Sequence, residues 1–163
     1  MSNQMNTGAT QVLEDKIHKH LDGELKQTAL CFVDYLKENQ LTPQPDIYEA
    51  NAVKIPYDGK NLCKIWFHPG EIHIHFWFGD YSGEFDEAFK EAVQAGVGFC
   101  NVCHQGCTGP FDVPIFGKAL KNVCSQHTVA FTNPDSQALE HVKTMLEYSK
   151  QIVPDSVSVH ANH

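Results

Sequence analysis

The sequence contains no arginine. All twelve of its basic residues are lysine, and its formal net charge is −8. Arginine is the side chain that reads phosphates and guanine edges in a bidentate manner, and cationic side chains supply most of the non-specific affinity of proteins for nucleic acids. The lack of arginine and the acidic balance therefore argue against a nucleic-acid partner.

The chain also lacks any apolar run of the length that crosses a membrane. Its polar N-terminal stretch, MSNQMNTGATQ, has neither the basic nor the apolar region of a secretory signal. We therefore expect a cytoplasmic protein with no membrane partner. A reducing compartment disfavours disulfides, so the six cysteines of the chain are predicted to be metal ligands or core residues.

The length and composition indicate one globular domain. The chain has 163 residues, of which 42% are hydrophobic and 20% charged, as in ordinary domains with a substantial core. We predict a disordered N-terminus over residues 1–9, a single domain over 10–153 that includes a metal-binding segment at 99–127, and a loose C-terminal tail over 154–163.

Helical and strand patterns occupy different parts of the chain. The predicted helices span residues 10–36, with a kink at Asp22–Gly23, residues 83–95, and a stretch that begins at an Asn133 N-cap. Between the first two helices, predicted strands cover residues 50–55, 61–67 and 71–78, and two further strand fragments cover 113–116 and 128–132. Short turns make consecutive strands antiparallel.

The fold class follows from this order. We predict an α+β fold, with an antiparallel sheet of three to five strands flanked by three helices and a cysteine-rich metal-binding segment before the last strand and helix. The Pro69–Gly70 turn sets the register of the central hairpin. It places Ile65 opposite Ile74 on one face and Trp66 opposite His73 on the other.

Four of the six cysteines lie within 25 residues. They are Cys100, Cys103, Cys107 and Cys124. Thiolates at Cys-x2-Cys spacing close a small chelate ring around a soft metal, and four of them complete a tetrahedral zinc site with no open position. This stretch has few large apolar side chains, so a bound ion would supply its cohesion. We predict a structural zinc.

Alternatives to this ligand set remain open. The fourth ligand is either Cys107 or His127, with His104 a more remote choice. Four thiolates also suit an iron–sulfur cluster, although the Cys-x2-Cys-x3-Cys order does not match ferredoxin spacing. A redox-active dithiol is a third interpretation, but the motif lacks a βαβ context. Cys31 and Cys63 fall on apolar faces and are predicted to be buried thiols.

One face of the predicted hairpin carries two tryptophans and two histidines. Trp66, His73, His75 and Trp77 are candidate ligand-binding residues for a small aromatic or anionic molecule. The simpler interpretation is that this face is covered and that each histidine bonds to its neighbours.

These observations predict a small zinc-stabilised binding module. Its partner is an unknown small molecule or protein, and the same aromatic face is an alternative homodimer contact. A redox or iron–sulfur protein that uses the cysteine cluster is the alternative function. We assign no catalytic residues, because the sequence has no phosphate-binding glycine loop, nucleophile elbow or His-Glu-x-x-His run.

Overall fold

The computed structural model describes residues 8–77, 81–100, 110–124 and 128–152. These residues form α1 (Gln11–His20), α2 (Gly23–Glu38), β1 (Gln44–Pro45), β2 (Ala52–Tyr57), β3 (Lys60–His68), β4 (Glu71–Phe76), α3 (Glu87–Ala95), β5 (Phe111–Ile115), β6 (Lys118–Val123), β7 (Val129–Thr132) and α4 (Ser136–Gln151). The five-stranded sheet has the order β1-β2-β3-β4-β7, and β5 pairs with β6. All of these pairings are antiparallel, which confirms the predicted α+β class.

Three of the helices, α1, α2 and α4, pack on one face of the five-stranded sheet. The His20 ring at the end of α1 stacks on Phe67 of β3, with ring centroids 5.8 Å apart. Phe32 of α2 lies with Ile72 and Ile74 around a small gap in the core. Alternating residues of the strands are buried here, which is the pattern of a sheet with one covered face. None of the helices in the described part of the chain is long and apolar enough to cross a membrane.

The single kinked helix predicted over residues 10–36 is wrong, because the chain forms two helices there. Leu21 is extended, with φ −117° and ψ 150°, and Gly23 has a φ of +61°. Glycine reaches this left-handed conformation without a Cβ clash. The first helix therefore ends before the Asp22–Gly23 pair, and a second helix starts there, instead of one helix with a kink. The described residues therefore contain four helices and not three.

The starts of the other two helices also differ from the prediction. α3 begins after Asp86, whose side chain caps it. Residues 83–86, which we predicted to be part of this helix, are not helical. α4 is capped by Asp135 and not by Asn133. Asn133 has a φ of +46°, and its side-chain oxygen accepts a hydrogen bond at 2.9 Å from the backbone N–H of Ile72. This residue joins the end of β7 to β4.

The β3–β4 register is confirmed. Ile65 lies opposite Ile74, and Trp66 lies opposite His73. Two strands were not predicted. β1 lies in a proline-containing stretch that we expected only to break a helix; Pro45 is tolerated there because β1 is an edge strand. β6 continues from the Gly117–Lys118 turn through a stretch that we predicted to be irregular.

An aromatic cluster joins the β5–β6 hairpin to the helices. It consists of Tyr81, Phe85, Phe89, Phe116 and Tyr148. The Phe116 ring, at the tip of the hairpin, lies with its centroid 5.3 Å from Phe85, 5.6 Å from Phe89 and 6.1 Å from Tyr148. Ring pairs at these distances contribute beyond the area they bury. The hairpin is therefore anchored at its tip by rings from α3, α4 and the loop before α3.

Candidate functional site

The predicted metal-binding segment is described only in part. Cys100 and Cys124 belong to the described residues, whereas Cys103 and Cys107 lie outside them, as do the alternative ligands His104 and His127. Among the described residues, no group of three or more His, Cys, Asp or Glu side chains is arranged to hold a metal ion. The four-ligand zinc site therefore remains a prediction, and the placement of Cys100 and Cys124 is what the structure adds to it.

Residues 96–100 run between the two sheets. On one side, the N–H of Ala130 in β7 donates to the carbonyl of Gly96 at 2.7 Å, and Val97 forms a bridge with Val129. On the other side, Phe99 forms an antiparallel bridge with Val123 of β6. These bonds on both sides fix the position of the Cys100 backbone relative to the two sheets.

The hydrogen bonds beside the Phe99–Val123 bridge position the two cysteines. The Cys100 N–H donates to the carbonyl of Asn122 at 2.8 Å, and the Cys124 N–H donates to the carbonyl of Gly98 at 2.8 Å. Cys100 and Cys124 each follow one member of the bridge. In the ladder that these bonds define, Cys100 lies opposite Asn122 and Cys124 lies opposite Gly98, so the two cysteines occupy diagonal backbone positions on either side of the bridge.

The spacing of Cys100 and Cys124 suits a shared metal ion better than a disulfide between them. Diagonal neighbours in an antiparallel pair have Cα atoms about 7–8 Å apart. A disulfide needs Cα atoms within about 7 Å, so a direct Cys100–Cys124 bond would require the strands to move. Zinc holds two thiolates about 3.8 Å apart through bonds of about 2.3 Å. Two side chains that lean toward each other can meet such an ion without strand movement.

The oxidation states of the two cysteines differ. Cys100 is disulfide-bonded. Cys124 is a free, half-buried thiol, and Cys31 and Cys63 are also free. None of these three described cysteines is therefore the partner of Cys100. A half-cystine has no thiolate to give to a metal, so zinc ligation by Cys100 requires the reduced state.

The other two cysteines have opposite environments. Cys63 is fully buried, and burial raises the pKa of its thiol far above the usual value. The prediction of a core thiol is confirmed for Cys63. It is wrong for Cys31, which is exposed on α2 because it lies beside the apolar stripe and not within it.

The outer face of the sheet brings three of the four predicted residues together, Trp66, His73 and His75. The Trp66 and His75 ring centroids are 6.3 Å apart, and those of His73 and His75 are 6.2 Å apart. All three side chains, and Trp77 after β4, are half-buried. This face lies on the side of the sheet away from α1, α2 and α4.

His73 is held by its neighbours. Its Nδ1 lies 3.1 Å from Oγ1 of Thr132, the residue opposite it on β7, and its Nε2 lies 3.2 Å from a carboxylate oxygen of Glu71. Both ring nitrogens are therefore engaged, which agrees with the simpler interpretation for this residue.

A charge network beside this face was missed by the sequence analysis. The Lys64 ammonium lies 4.5 Å from the centre of the Trp66 ring and forms ion pairs with Asp46 at 3.0 Å and Glu49 at 2.8 Å. Burial favours a higher pKa for Asp46, but the Tyr48 N–H and the Lys64 ammonium hold that pKa below its usual value. An aspartate after Pro45 is a turn signal, and this could have identified the loop but not its link to β3.

The chain matches no protein-family model, no curated protein and no solved structure at a significant level.

Proposed function

We propose that the protein is a small zinc-stabilised binding module. Zinc on the cysteine segment ties the β5–β6 hairpin to the chain that leads out of α3, and the outer face of the main sheet binds a small aromatic or anionic molecule. The observation that supports the proposal is the backbone pairing of the two segments that carry Cys100 and Cys124, which bond to each other on either side of the Phe99–Val123 bridge.

Two features of this region favour a metal. Cys100 and Cys124 lie on segments that are 24 positions apart in the sequence, so an ion between them closes a long loop and restrains much more of the chain than a local contact does. The β5–β6 hairpin buries only the side chains of Val113, Ile115 and Val123. Cys103 and Cys107 supply the other two thiolates of the proposed site, with His127 as the alternative fourth ligand.

The first experiment is elemental analysis with a visible spectrum on freshly reduced, chelator-free protein. We expect one zinc per chain and no colour. Cys124→Ser should lose the zinc, whereas Cys31→Ser, which removes an exposed free thiol on α2, should retain it. Iron together with visible absorbance would favour the iron–sulfur alternative. Failure of the reduced protein to take up zinc would contradict the proposal.

The aromatic face supports the binding half of the proposal. Trp66 and His75 lie close together on a half-buried surface, and a lysine ammonium is held against the Trp66 ring. An aromatic ring stacks on such a surface.

The chain has two tryptophans, Trp66 on this face and Trp77 directly after β4, so tryptophan fluorescence reports on this part of the sheet. We expect 8-anilinonaphthalene-1-sulfonate, an anionic aromatic probe, to quench this fluorescence in a saturable manner. His75→Ala should weaken the binding of the probe by several-fold without a change in stability, and the matched control His18→Ala, on exposed α1 surface, should not. Equal binding by the wild type and His75→Ala would contradict a site on this face.

A further inference from the structure

We infer that a row of three histidines on the outer face binds the anionic part of the ligand, and that it does so in its protonated form. The row consists of His68 at the end of β3 and of His73 and His75 on β4. This role rests on the proposed function, because it specifies the charge of the molecule that binds beside Trp66 and the pH at which it binds.

The register of the central hairpin creates the row. Glu71 lies opposite His68 and Trp66 lies opposite His73, so His68 and His73 are diagonal neighbours on the outer face. Their ring centroids are 5.6 Å apart, and those of His73 and His75 are 6.2 Å apart. The Trp66 ring lies 6.3 Å from that of His75. A ligand that stacks on Trp66 therefore lies directly beside the row.

His73, the middle member, can take up a proton without losing a contact. A carboxylate only accepts hydrogen bonds, so Nε2 of His73, 3.2 Å from the Glu71 carboxylate, carries a hydrogen whether the ring is neutral or charged. Nδ1 lies 3.1 Å from Oγ1 of Thr132. It accepts from this hydroxyl in the neutral ring and donates to it in the charged ring, because a hydroxyl can do both. Protonation therefore changes the charge of the row and keeps its geometry.

The described charged and titratable groups around the row come from four elements and one loop. They are His20 at the end of α1, Lys54 on β2, Lys64 on β3, Glu71 on β4, and Asp46 and Glu49 in the β1–β2 loop. The β7 residues opposite His73 and His75, Thr132 and Ala130, are uncharged.

These groups give the surface a sign that depends on pH. Lys54 and Lys64 are compensated by Asp46 and Glu49, at nitrogen–oxygen distances from 2.8 to 3.4 Å. With neutral histidines, the Glu71 carboxylate therefore leaves this part of the face slightly negative. Histidine is the side chain that gains its charge between about pH 8 and pH 5, and three imidazolium ions outnumber one carboxylate. Acidification thus makes the surface positive.

An anion favours this positive state. Neighbouring cations repel each other, and an anion placed over them replaces that repulsion by attraction. Proton uptake and anion binding therefore strengthen each other. The affinity of the outer face for an aromatic anion should rise as the pH falls.

The test compares two probes that differ by one charged group. 8-Anilinonaphthalene-1-sulfonate keeps its negative sulfonate at both pH values used, and N-phenyl-1-naphthylamine has the same rings without it. Quenching of tryptophan fluorescence measures the dissociation constant of each probe at pH 7.5 and pH 5.5. We expect the sulfonate to bind several-fold tighter at pH 5.5 and the neutral probe to bind equally at both. Added salt should reduce the difference.

His68→Gln tests the row directly, because His68 is exposed and glutamine cannot take up a proton. In this variant, the ratio of the sulfonate affinities at the two pH values should fall toward one. His18→Gln, on the exposed surface of α1, is the matched control and should keep the wild-type ratio. Circular dichroism at both pH values verifies that each protein is folded.

The outcomes distinguish the histidine row from the outer face as a whole. Saturable binding of the sulfonate with equal affinity at both pH values, an equal gain for the neutral probe at pH 5.5, or a wild-type ratio in His68→Gln would each overturn the row as the anion site. Each of these results leaves a binding site on the face intact. Wild-type protein that binds neither probe at either pH would overturn the proposed binding face as well.

Discussion

A glycine is required at position 96 because the backbone of β7 approaches it closely. A glycine directly after a helix usually indicates a left-handed C-terminal cap, but the φ of Gly96 is −87°. A Cβ built at this position would lie 2.4 Å from the carbonyl oxygen of Ala130 in β7, the residue whose N–H donates to the Gly96 carbonyl. Any side chain at this position would push the segment away from β7.

We therefore predict that Gly96→Ala lowers the free energy of unfolding by about 1–3 kcal/mol, the usual cost of a side chain that does not fit. Urea denaturation followed by circular dichroism measures the loss. Gly8→Ala is the matched control, because a Cβ at Gly8 meets nothing within 4 Å and its φ is not in the left-handed region, so its effect should stay within about 0.5 kcal/mol. Equal stability of the two variants would show that β7 and residues 96–100 separate readily.

His20 makes the stability of the protein depend on pH. Its pKa is lowered, first because burial disfavours its charged form and then because Lys19, Lys16 and His68 repel that charge. Its Nε2 is buried and has no hydrogen-bond partner within the described residues. The unfolded chain binds the proton more readily than the folded one, with an unfolded pKa of about 6.5. Stability should be full above that pH and fall as the pH drops through it.

The expected result is a lower urea midpoint at pH 5.5 than at pH 7.5. His20→Phe keeps a ring over Phe67 but cannot be protonated, so this variant should show a smaller difference between the two midpoints. His18→Phe, on the exposed side of the same helix, should keep the wild-type difference. A wild-type pH dependence in His20→Phe would assign the effect to another histidine.

At the scale of the elements, the helix caps allow a direct comparison. The Asp135 side chain accepts a hydrogen bond at 2.8 Å from the N–H of Ala138 in the first turn of α4, whereas Asp22, the N-cap of α2, makes no such bond. We predict that Asp135→Ala costs about 1 kcal/mol and that Asp22→Ala costs clearly less. Thermal unfolding of both variants checks this. A larger loss in Asp22→Ala would mean that charge near the helix end outweighs the capping bond.

The elements that the sequence predicts well are those with local causes. The β3–β4 register follows from the Pro69–Gly70 turn and from strict alternation on either side of it, and both signals lie within a few residues. β6 has only one buried residue, Val123, and carries a left-handed Asn122, so no alternation marks it as a strand. Its pairing partner and the contact with Phe99 create it. These contacts cannot be read from its own residues.

The candidate site divides in the same way. The residue types and the Cys-x2-Cys spacing identify the thiols, and the register brings Trp66 beside His73. The diagonal placement of Cys100 and Cys124 depends on the pairing of two distant segments. The lysine network at Asp46 depends on how the β1–β2 loop packs over β3. Neither the placement of the two cysteines nor the lysine network can be predicted from the spacing of residues in the sequence.

For the molecule as a whole, the aromatic cluster determines how firmly the β5–β6 hairpin is held. We predict that Phe116→Ala lowers the free energy of unfolding by at most about 3 kcal/mol, because the ring is only half-buried. Phenylalanine and alanine both carry a Cβ, and position 116 has a positive φ with either residue, so the substitution changes the turn itself little. Amide hydrogen exchange should become faster in residues 111–123 and remain slow in β3 and β4.

Tyr48→Ala is the control for this effect, since that side chain is 84% exposed in the β1–β2 loop. It should leave exchange in the hairpin unchanged. Uniformly faster exchange in Phe116→Ala, in the sheet and the hairpin alike, would mean that the two parts unfold as one cooperative unit.

The double attachment of residues 96–100 has a consequence for engineering the chain. These residues bond to β7 on one side and to β6 on the other, so a peptide inserted among them would interrupt two ladders at a single point. The turn at Asp58–Gly59 is exposed and joins strands that are paired along their length. A fluorescent label, a fusion partner or new chain ends therefore belong at residues 58–59, where the hydrogen bonds of both sheets remain intact.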